Sequence, residues 1–454
     1  MRTAVIQNRT ILTIGVRLDS KFHLSDGISS KNTILNAPYL IKTVGDVSSN
    51  IFYGNRAKRI YVKDSKRGIP FISSSEMLKS DLCGVKNISK KYTQSLSGIL
   101  LKKNWILISR SGTIGNTVFT NDQFENKAGS EHIIRVVPNN NEVYSGFLYS
   151  YLSSNIGYTL LTQGTFGAVI QHIEPEHVAN IPIPLLPESK QQEIHNLIVE
   201  SANLRVEANR LLEEAIAYFN DKIKVSQDTQ KFFSKPVKEL SFSWASYNNN
   251  KQCHSIENRI GYDSVKMEDI SEKIFAPPMF KHIYLKKDNG NPFLTGAELT
   301  RQNPKFYRWL SPRGVKDIED YKVKKGTLLL YKSGTTDGGI LGNVFIADDN
   351  LDGVCLSDHV IRITMNKLSD AYWAYAFLKS NAGVQLLLRL ATGTMIPFIT
   401  PERLKGLSIP KQDEQYEKIT DLIDRYIFKR VLANNKENQA ISLVEKEIES
   451  WQQS

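Results

Sequence analysis

"GILLKKNWILISRSGT", residues 98–113, returns as "YKVKKGTLLLYKSGT", residues 321–335. Further echoes follow in the same order. "IKTVGDVSSNIF" (41–52) aligns with "VKMEDISEKIF" (265–275), and "RIYVKDSKRGIPFISSSEM" (59–77) with "HIYLKKDNGNPFLTGAEL" (282–299). "SEHIIRV" (130–136) matches "SDHVIRI" (357–363), and "YLSSNIG" (151–157) matches "FLKSNAG" (377–383). "EPEHVANIPIP" (174–184) matches "TPERLKGLSIP" (400–410). The offset stays between about 222 and 229 residues. So many matches in register mean a duplicated unit, and its length makes it a domain rather than a solenoid repeat.

Within each copy, "NWILIS" and "GTLLLYK" are short apolar runs that read as buried strands, while "EHIIRVV" and "DHVIRIT" alternate like half-buried ones. "SGFLYSYLSSNIGYTLL" and "DAYWAYAFLKSNAGVQLLLRL" have helical spacing and length, and glycine and proline punctuate between elements. The texture is α+β. Each copy ends at a proline-marked stop, followed by a long helix. From Glu188, Leu197, Leu204, Leu211 and Tyr218 recur every seven residues, with Ser201, Ala208 and Ala215 between them. That pattern predicts a heptad seam with a small-residue row, open to a close partner helix. The second helix, from about Gln412, is less regular. Ile419, Ile423 and Tyr426 begin it, Ile441, Val444, Ile448 and Trp451 finish it, and the polar "KRVLANNKENQ" between them reads as a weak point. Both copies end this way, which favours the two helices packing together over two independent amphipathic helices.

The 454 residues exceed one ordinary domain. With 41% hydrophobic residues the chain can build real cores, and no apolar run approaches the ~20 residues that span a bilayer. The opening residues lack the apolar stretch and cleavage site of a signal peptide. Cys83, Cys253 and Cys355 are odd in number and far apart, which supports neither a zinc site nor a disulfide framework. A cytoplasmic protein with reduced thiols is expected. The net charge of +11 is unevenly divided: +9 over residues 1–187, −3 over 188–230, +7 over 231–410 and −2 over 411–454. Two basic bodies joined by mildly acidic helices suggest a polyanionic partner.

Globular part, helix, globular part, helix, with a repeat in both parts, resembles the specificity subunit of type I restriction-modification enzymes. "RLDSKFH" (17–23), "ISRSGTIGN" (108–116) and "GTFGAVIQHIEPEHVANIPIPLLPESKQQEI" (164–194) are similar to segments of that family. The counterpart of "RLDSKFH" in the second copy, "RIGYDSV" (259–265), departs from it. The resemblance spans essentially the whole chain. It implies two target-recognition domains, 1–187 and 231–410, each reading half of a split site in double-stranded DNA. The helices, 188–230 and 411–454, become an antiparallel coiled-coil spacer that docks two methyltransferase subunits. Restriction subunits would join these, and S-adenosylmethionine, ATP and Mg²⁺ would belong to the partners. No membrane contact is implied.

"SRSGTIGN" lacks the lysine of a GxxxxGK nucleotide loop. It reads either as a tight turn leaving a buried strand, with Gly112 and Gly334 at positive φ, or as a phosphate contact. In the second case Arg110, Ser111 and Thr113 act in one copy and Lys332, Ser333 and Thr335 in the other. If the copies read different half-sites, shared residues serve as scaffold or phosphate contacts, and base readers lie where the copies diverge. The divergent stretches are 78–97 against 300–320, together with the insertion "TDGGIL" (336–341). They supply Lys86, Lys90, Lys91, Tyr92 and Gln94 in the first copy, and Arg301, Gln302, Lys305, Tyr307, Arg308 and Arg313 in the second. Thr165 and Gln171 in "GTFGAVIQHI" and Thr394 in "GTMIPFIT" sit in loops that either near DNA or pack on the helix base. His132 and His359 match each other ahead of a strand, where structural hydrogen bonding is the simpler role. Asn291-Pro292-Phe293 lacks the second proline of a methyltransferase motif. With no catalytic signature, the chain reads as the DNA-reading part of an enzyme made elsewhere. The alternatives are a specificity subunit of another multi-subunit restriction system, a stand-alone DNA-modifying enzyme or nuclease, and a coiled-coil adaptor that binds no DNA.

Overall fold

The computed structural model describes residues 25–451 except 57, 83, 94–95, 164, 166–170, 226–233, 235, 241–245, 250, 262, 336–339 and 394. "RLDSKFH", Cys83, Gln94, Thr394 and most of "TDGGIL" therefore lie outside the described residues. The chain forms two compact units. One takes the first copy up to Val206 together with Leu432–Ser454, and the other is Glu207–Val431. Both long helices cross from one unit into the other.

The first unit holds α1 (Gly27–Leu35), β1 (Ile41–Thr43), β2 (Ser48–Tyr53), β3 (Tyr61–Val62), β4 (Gly68–Ile72), β5 (Asn87–Ser89), β6 (Ile106–Ser109), β7 (Thr117–Phe119), β8 (Ala128–Gly129) and β9 (Ile133–Pro138). Then come α2 (Ser145–Ser153), α3 (Asn155–Gln163), α4 (Pro175–Ala179), β10 (Pro182–Pro184) and the start of α5 (Glu188–Lys222). Its sheets run β2-β9-β6-β7, β3-β5-β4-β8 and β1-β10.

The second unit repeats the plan. It holds α6 (Lys251–Ile260), β11 (Ser264–Lys266), α7 (Met267–Ile270), β12 (Ser271–Phe275), β13 (Tyr284–Leu285), β14 (Asn291–Leu294), α8 (Gly296–Leu299), β15 (Arg308–Leu310), β16 (Leu328–Tyr331), β17 (Val344–Ile346), β18 (Cys355–Leu356) and β19 (Val360–Met365). After these come α9 (Leu368–Lys379), α10 (Asn381–Arg389), α11 (Pro401–Lys405), β20 (Ser408–Pro410) and the start of α12 (Tyr416–Ser450). Its sheets run β12-β19-β16-β17, β13-β15-β14-β18 and β11-β20, strand for strand the order of the first. A parallel pairing also recurs, as Phe71 opposite Ala128 and Phe293 opposite Cys355.

The repeated sequence matches have structural causes. β6 and β16 are buried throughout, as their apolar runs predict. β9 and β19, expected to be half-buried, are almost wholly buried, because the arginine that breaks their apolar run is itself inside. Arg135 donates to the carbonyls of Ile133, Ile99 and Gly129 at 3.1, 3.3 and 2.8 Å. Arg362 donates to those of Ser357, Val360, Tyr321 and Leu356. Each guanidinium thus ties the four-stranded sheet of β9 or β19 to β8 or β18, an edge strand of the other four-stranded sheet. Burial pushes both arginines down to about 10, so both remain charged at neutral pH. "SSNIG" and "KSNAG" are helix breaks. Ser154 and Ser380 leave helical geometry, and their hydroxyls accept from the N–H of Gly157 and Gly383 at 3.1 and 3.2 Å. A Cβ on either glycine would lie about 2.1–2.2 Å from the carbonyl of Tyr151 or Phe377, so the predicted single helices become α2/α3 and α9/α10. Asn291-Pro292-Phe293 is simply β14.

The two long helices pair antiparallel within each unit. In the first, Glu200 meets Lys436 at 2.9 Å and the Ser201 hydroxyl donates to the Ala433 carbonyl at 2.7 Å. In the second, Glu207 meets Lys429 at 2.6 Å and Glu214 meets Lys418 at 3.3 Å. The seam differs from the predicted one. Ile194, Ile198, Ser201, Arg205, Ala208, Leu212, Ala215 and Phe219 form a buried row on α5 that alternates by four and three, and Gln191, Ala202, Asn209 and Leu211 are buried beside it. Ala208, Leu211 and Ala215 are buried as expected, whereas Leu197, Leu204 and Tyr218 are only half-buried on the flank. The reason is that α5 packs against globular cores as well as its partner. Ile194 and Ile198 join the first core, and Phe219 meets Trp373 and Phe377 edge-on at 4.8 and 5.5 Å. The polar middle of α12 is no weak point either. The helix runs unbroken for 35 residues, and Arg430, Asn434 and Glu437 are buried in it. Cys355 is a buried free thiol, pushed up to about 11 by that burial. Among the described residues no helix is long and apolar enough to cross a membrane.

Candidate nucleic-acid interface

In the first unit the turn from β6 to β7 is tied down at its base. Ser109 N–H donates to the Asn116 carbonyl at 2.9 Å, Gly115 N–H to the Ser109 carbonyl at 3.1 Å, and Asn116 N–H reaches both the Thr113 carbonyl at 3.4 Å and the Ser109 hydroxyl at 3.0 Å. Gly112 and Gly115 adopt φ of +75° and +81°, conformations that favour glycine. In the second unit Gly342 takes the place of Gly115 at +83°, while Gly334, at 159°, is close to extended. Positive φ is present at both Gly112 and Gly334, the latter at the edge of the extended region.

Arg110 and Lys332 are held by the same backbone bonds. Their N–H groups donate to the carbonyls of His132 and His359 at 2.9 and 2.8 Å, and their carbonyls accept from Ile173 and Ile399. Their side chains differ. Arg110 pairs with Glu174 and lies over the Tyr53 ring, 4.3 Å from its centre, leaving its side chain 16% exposed. Where the first copy has Glu174 the second has Thr400, the cap of α11. Lys332 instead lends its field to Glu402, whose carboxyl is held down first by hydrogen bonds at the helix start. Ser111 Oγ lies 2.7 Å from His132 Nδ1, and Ser333 Oγ lies 3.5 Å from His359 Nδ1, so both histidines serve as hydrogen-bond partners of the loop. The Thr113 hydroxyl is buried without a partner among the described residues, and Thr335 is exposed.

A polar strip leads from this turn to the small sheet. His132 Nε2 is 3.6 Å from Glu131, and Glu131 accepts both hydrogen bonds of Arg59 at 2.8 and 2.9 Å. Burial would raise the Glu131 carboxyl, but its own backbone N–H and Arg59 outweigh that and hold it below the usual range. Beyond Arg59, β3 pairs with β5, placing Tyr61 opposite Ile88 and Val62 opposite Asn87. The candidate residues Lys86, Lys90, Lys91 and Tyr92 are exposed around β5. Lys86 stands over the Tyr61 ring at 5.7 Å, and Lys91 over Tyr92 at 5.4 Å. The divergent stretch 78–97 is therefore not all loop, since it contains a central strand with Ile88, Ser89 and Thr93 buried.

The strip also carries basic residues that the motifs did not single out. Arg56, Lys58, Arg59, Lys63, Lys66 and Arg67 are all exposed between Tyr53 and Gly68, against the single acid Asp64. Their density in "RAKRIYVKDSKR" was the available signal.

In the second unit β13 and β15 occupy the same places, with Lys287 over the Trp309 ring at 6.0 Å and Tyr284, the repeat of Tyr61, exposed. Tyr307 and Arg313 are exposed, and Arg301, Gln302 and Lys305 are half-buried. Arg308 is committed elsewhere. It pairs at 2.6 Å with Glu298, which also closes the capping box of α8 through Thr295. Gln171 is exposed and Thr165 donates to the Thr162 carbonyl at 2.7 Å. Most of the loop between them lies outside the described residues. Among the described residues no cluster of His, Cys, Asp and Glu could hold a metal ion.

The family model described as the Type I restriction modification DNA specificity domain matches the chain twice, over residues 39–208 and 259–443. Solved structures align along nearly all of the chain. A type I restriction-modification S subunit from M. genitalium shares 14% identity over 92% of this chain and 94% of its own, with a TM-score of 0.29. The HsdS subunit from Thermoanaerobacter tengcongensis shares 13% over 92% and 97%, also at 0.29. Assignment to a family rests on the doubled domain match.

Proposed function

The chain belongs to the type I restriction modification DNA specificity family, and from that premise we propose that each compact unit reads one half of a bipartite DNA site. A sequence-specific DNA-binding subunit of this kind is not itself the catalyst. The two long helices dock two methyltransferase subunits, and restriction subunits join that assembly. S-adenosylmethionine, ATP and Mg²⁺ act in those partners, and the complex works where DNA is, in the cytoplasm.

One observation carries the half-site reading. The same three sheets occur twice in the same strand order, while exposed residues around β5 and β15 differ between copies. A shared scaffold with private surfaces is what two independent readers on one chain require. The strip from the β6–β7 turn to β3 supplies phosphate contacts, and the exposed side chains about β5 supply base contacts. Co-purification with the products of neighbouring genes, followed by mapping of methylated bases, tests the proposal. The expected result is methyltransferase chains in the complex and methylation at a split sequence. Cleavage or methyl transfer by the purified chain alone, given DNA, Mg²⁺ and S-adenosylmethionine, would overturn it.

A further inference from the structure

In the second unit Thr392 and Phe398 close a tight loop, Thr394 aside, whose tip is apolar and turned to water. Met395 is 92% exposed and Ile396 69%. The loop is closed by paired backbone bonds between Thr392 and Phe398, at 2.8 and 2.7 Å. Gly393 makes the turn at φ +98°, and a Cβ there would meet the Ile396 carbonyl at 3.0 Å. Pro397 stiffens the return. The base of the loop is sewn to the β16–β17 turn. Ile399 N–H donates to the Lys332 carbonyl at 2.7 Å, and Gly334 N–H donates to the Pro397 carbonyl at 3.1 Å.

The tip is therefore fixed to the same backbone that carries Lys332, Ser333 and, across a hydrogen bond, His359. Scattered exposed apolar residues are ordinary. Two adjacent ones on a loop this constrained, next to a cation and hydroxyls, have the composition of the wedges that enter base stacks. Rigidity suits that task, because little loop entropy remains to be lost on insertion.

We infer that the Met395–Ile396 tip is an apolar wedge that enters the base stack of duplex DNA beside the half-site read by the second unit, with Lys332 on a neighbouring phosphate. The inference rests on the DNA-reading role proposed above. A second observation agrees with it. In the first copy an apolar residue again follows Gly-Thr, as Phe166 after Gly164 and Thr165. A feature kept in both copies, although the copies read different bases, fits a contact that unstacks a step rather than one that reads a base edge.

The test uses the complex with its methyltransferase partner and a duplex carrying the site mapped by methylation. The probe is 2-aminopurine placed in turn at adenines in and beside the second half-site. Wild type is expected to brighten the probe severalfold at one step. The double variant M395A/I396A should abolish that rise and bind roughly tenfold more weakly, with an unchanged salt slope. Met279→Ala, exposed elsewhere on the same unit, should behave as wild type. The wedge is refuted if wild type binds with no brightening, if the double variant keeps both signal and affinity, or if Met279→Ala has the same effect. Loss of the methyltransferase subunit from M395A/I396A, with DNA affinity retained, would instead assign the tip to protein docking. A wild-type complex that fails to bind the duplex would bring down the DNA reading itself, and the wedge with it.

Discussion

Arg110 and Lys332 stand at one position of the repeat, on the same pair of backbone hydrogen bonds, yet one charge is largely spent and the other is not. Arg110 is neutralised by Glu174 and stacked on Tyr53, whereas Lys332 has Thr400 where that glutamate would be. Each phosphate contact adds about −0.9 to the slope of log affinity against log salt. Lys332→Gln is therefore expected to flatten the slope of the complex by about that amount. Arg110→Gln should flatten it by less than half as much and lower the melting temperature, because it leaves Glu174 without its partner. Binding titrations at several salt concentrations, with thermal melts of the same proteins, check both. Equal slopes for wild type and Lys332→Gln would remove this turn from the DNA contact.

A helix can be held by polar groups where its sequence looks weakest. In the first unit Arg205 of α5 donates to the Asn434 side chain at 3.0 Å and pairs with Glu437 of α12, which also accepts from the Tyr149 hydroxyl. All four side chains are buried. Burying one such charge alone costs several kcal/mol, while the complete set offsets most of that cost. Glu437→Leu should thus destabilise the local pairing by about 3 kcal/mol, read as roughly hundredfold faster hydrogen exchange at the amides of residues 194–205. Arg205→Leu combined with Glu437→Leu should recover most of the protection, since no buried charge then lacks a partner. If the double variant exchanges as fast as the single one, the pair contributes stability beyond mutual neutralisation. In the second unit the corresponding arginine, Arg430, finds its acid on the globular part instead, Asp348 at 3.6 Å, with the Tyr426 hydroxyl at 3.0 Å.

For the whole molecule, the proposed half-site reading means that one unit can change what it reads while the other does not. Because β5 runs through the divergent stretch, replacing 78–97 outright would remove a sheet strand. The informative change is confined to the exposed Lys86, Lys90, Lys91 and Tyr92, leaving Ile88 and Ser89 in place. Methylation mapping should then show altered bases in the half-site of the first unit and the original bases in the other. A change in both halves together would contradict one unit, one half-site.

The residues read alone establish the duplication, the α+β texture, the two long helices and the lack of a GxxxxGK loop. These are local or periodic signals, and a repeated register survives divergence because each unit must rebuild the same core. The residues also point to the turn at Ser109–Asn116, whose glycines mark it. Where the charges go is settled by folding. Arg135 and Arg362 look outward-facing in an alternating strand, but carbonyls from distant segments bring them inside. Arg110 meets an acid 64 residues away, and Arg205 one 232 residues away. The true helix seam follows from the globular surfaces that α5 covers as well as from its own heptads. A polar side chain carries no local sign of whether water or a buried partner will satisfy it. That choice is made when the chain closes, because a charge left inside without a partner costs more than most single contacts return.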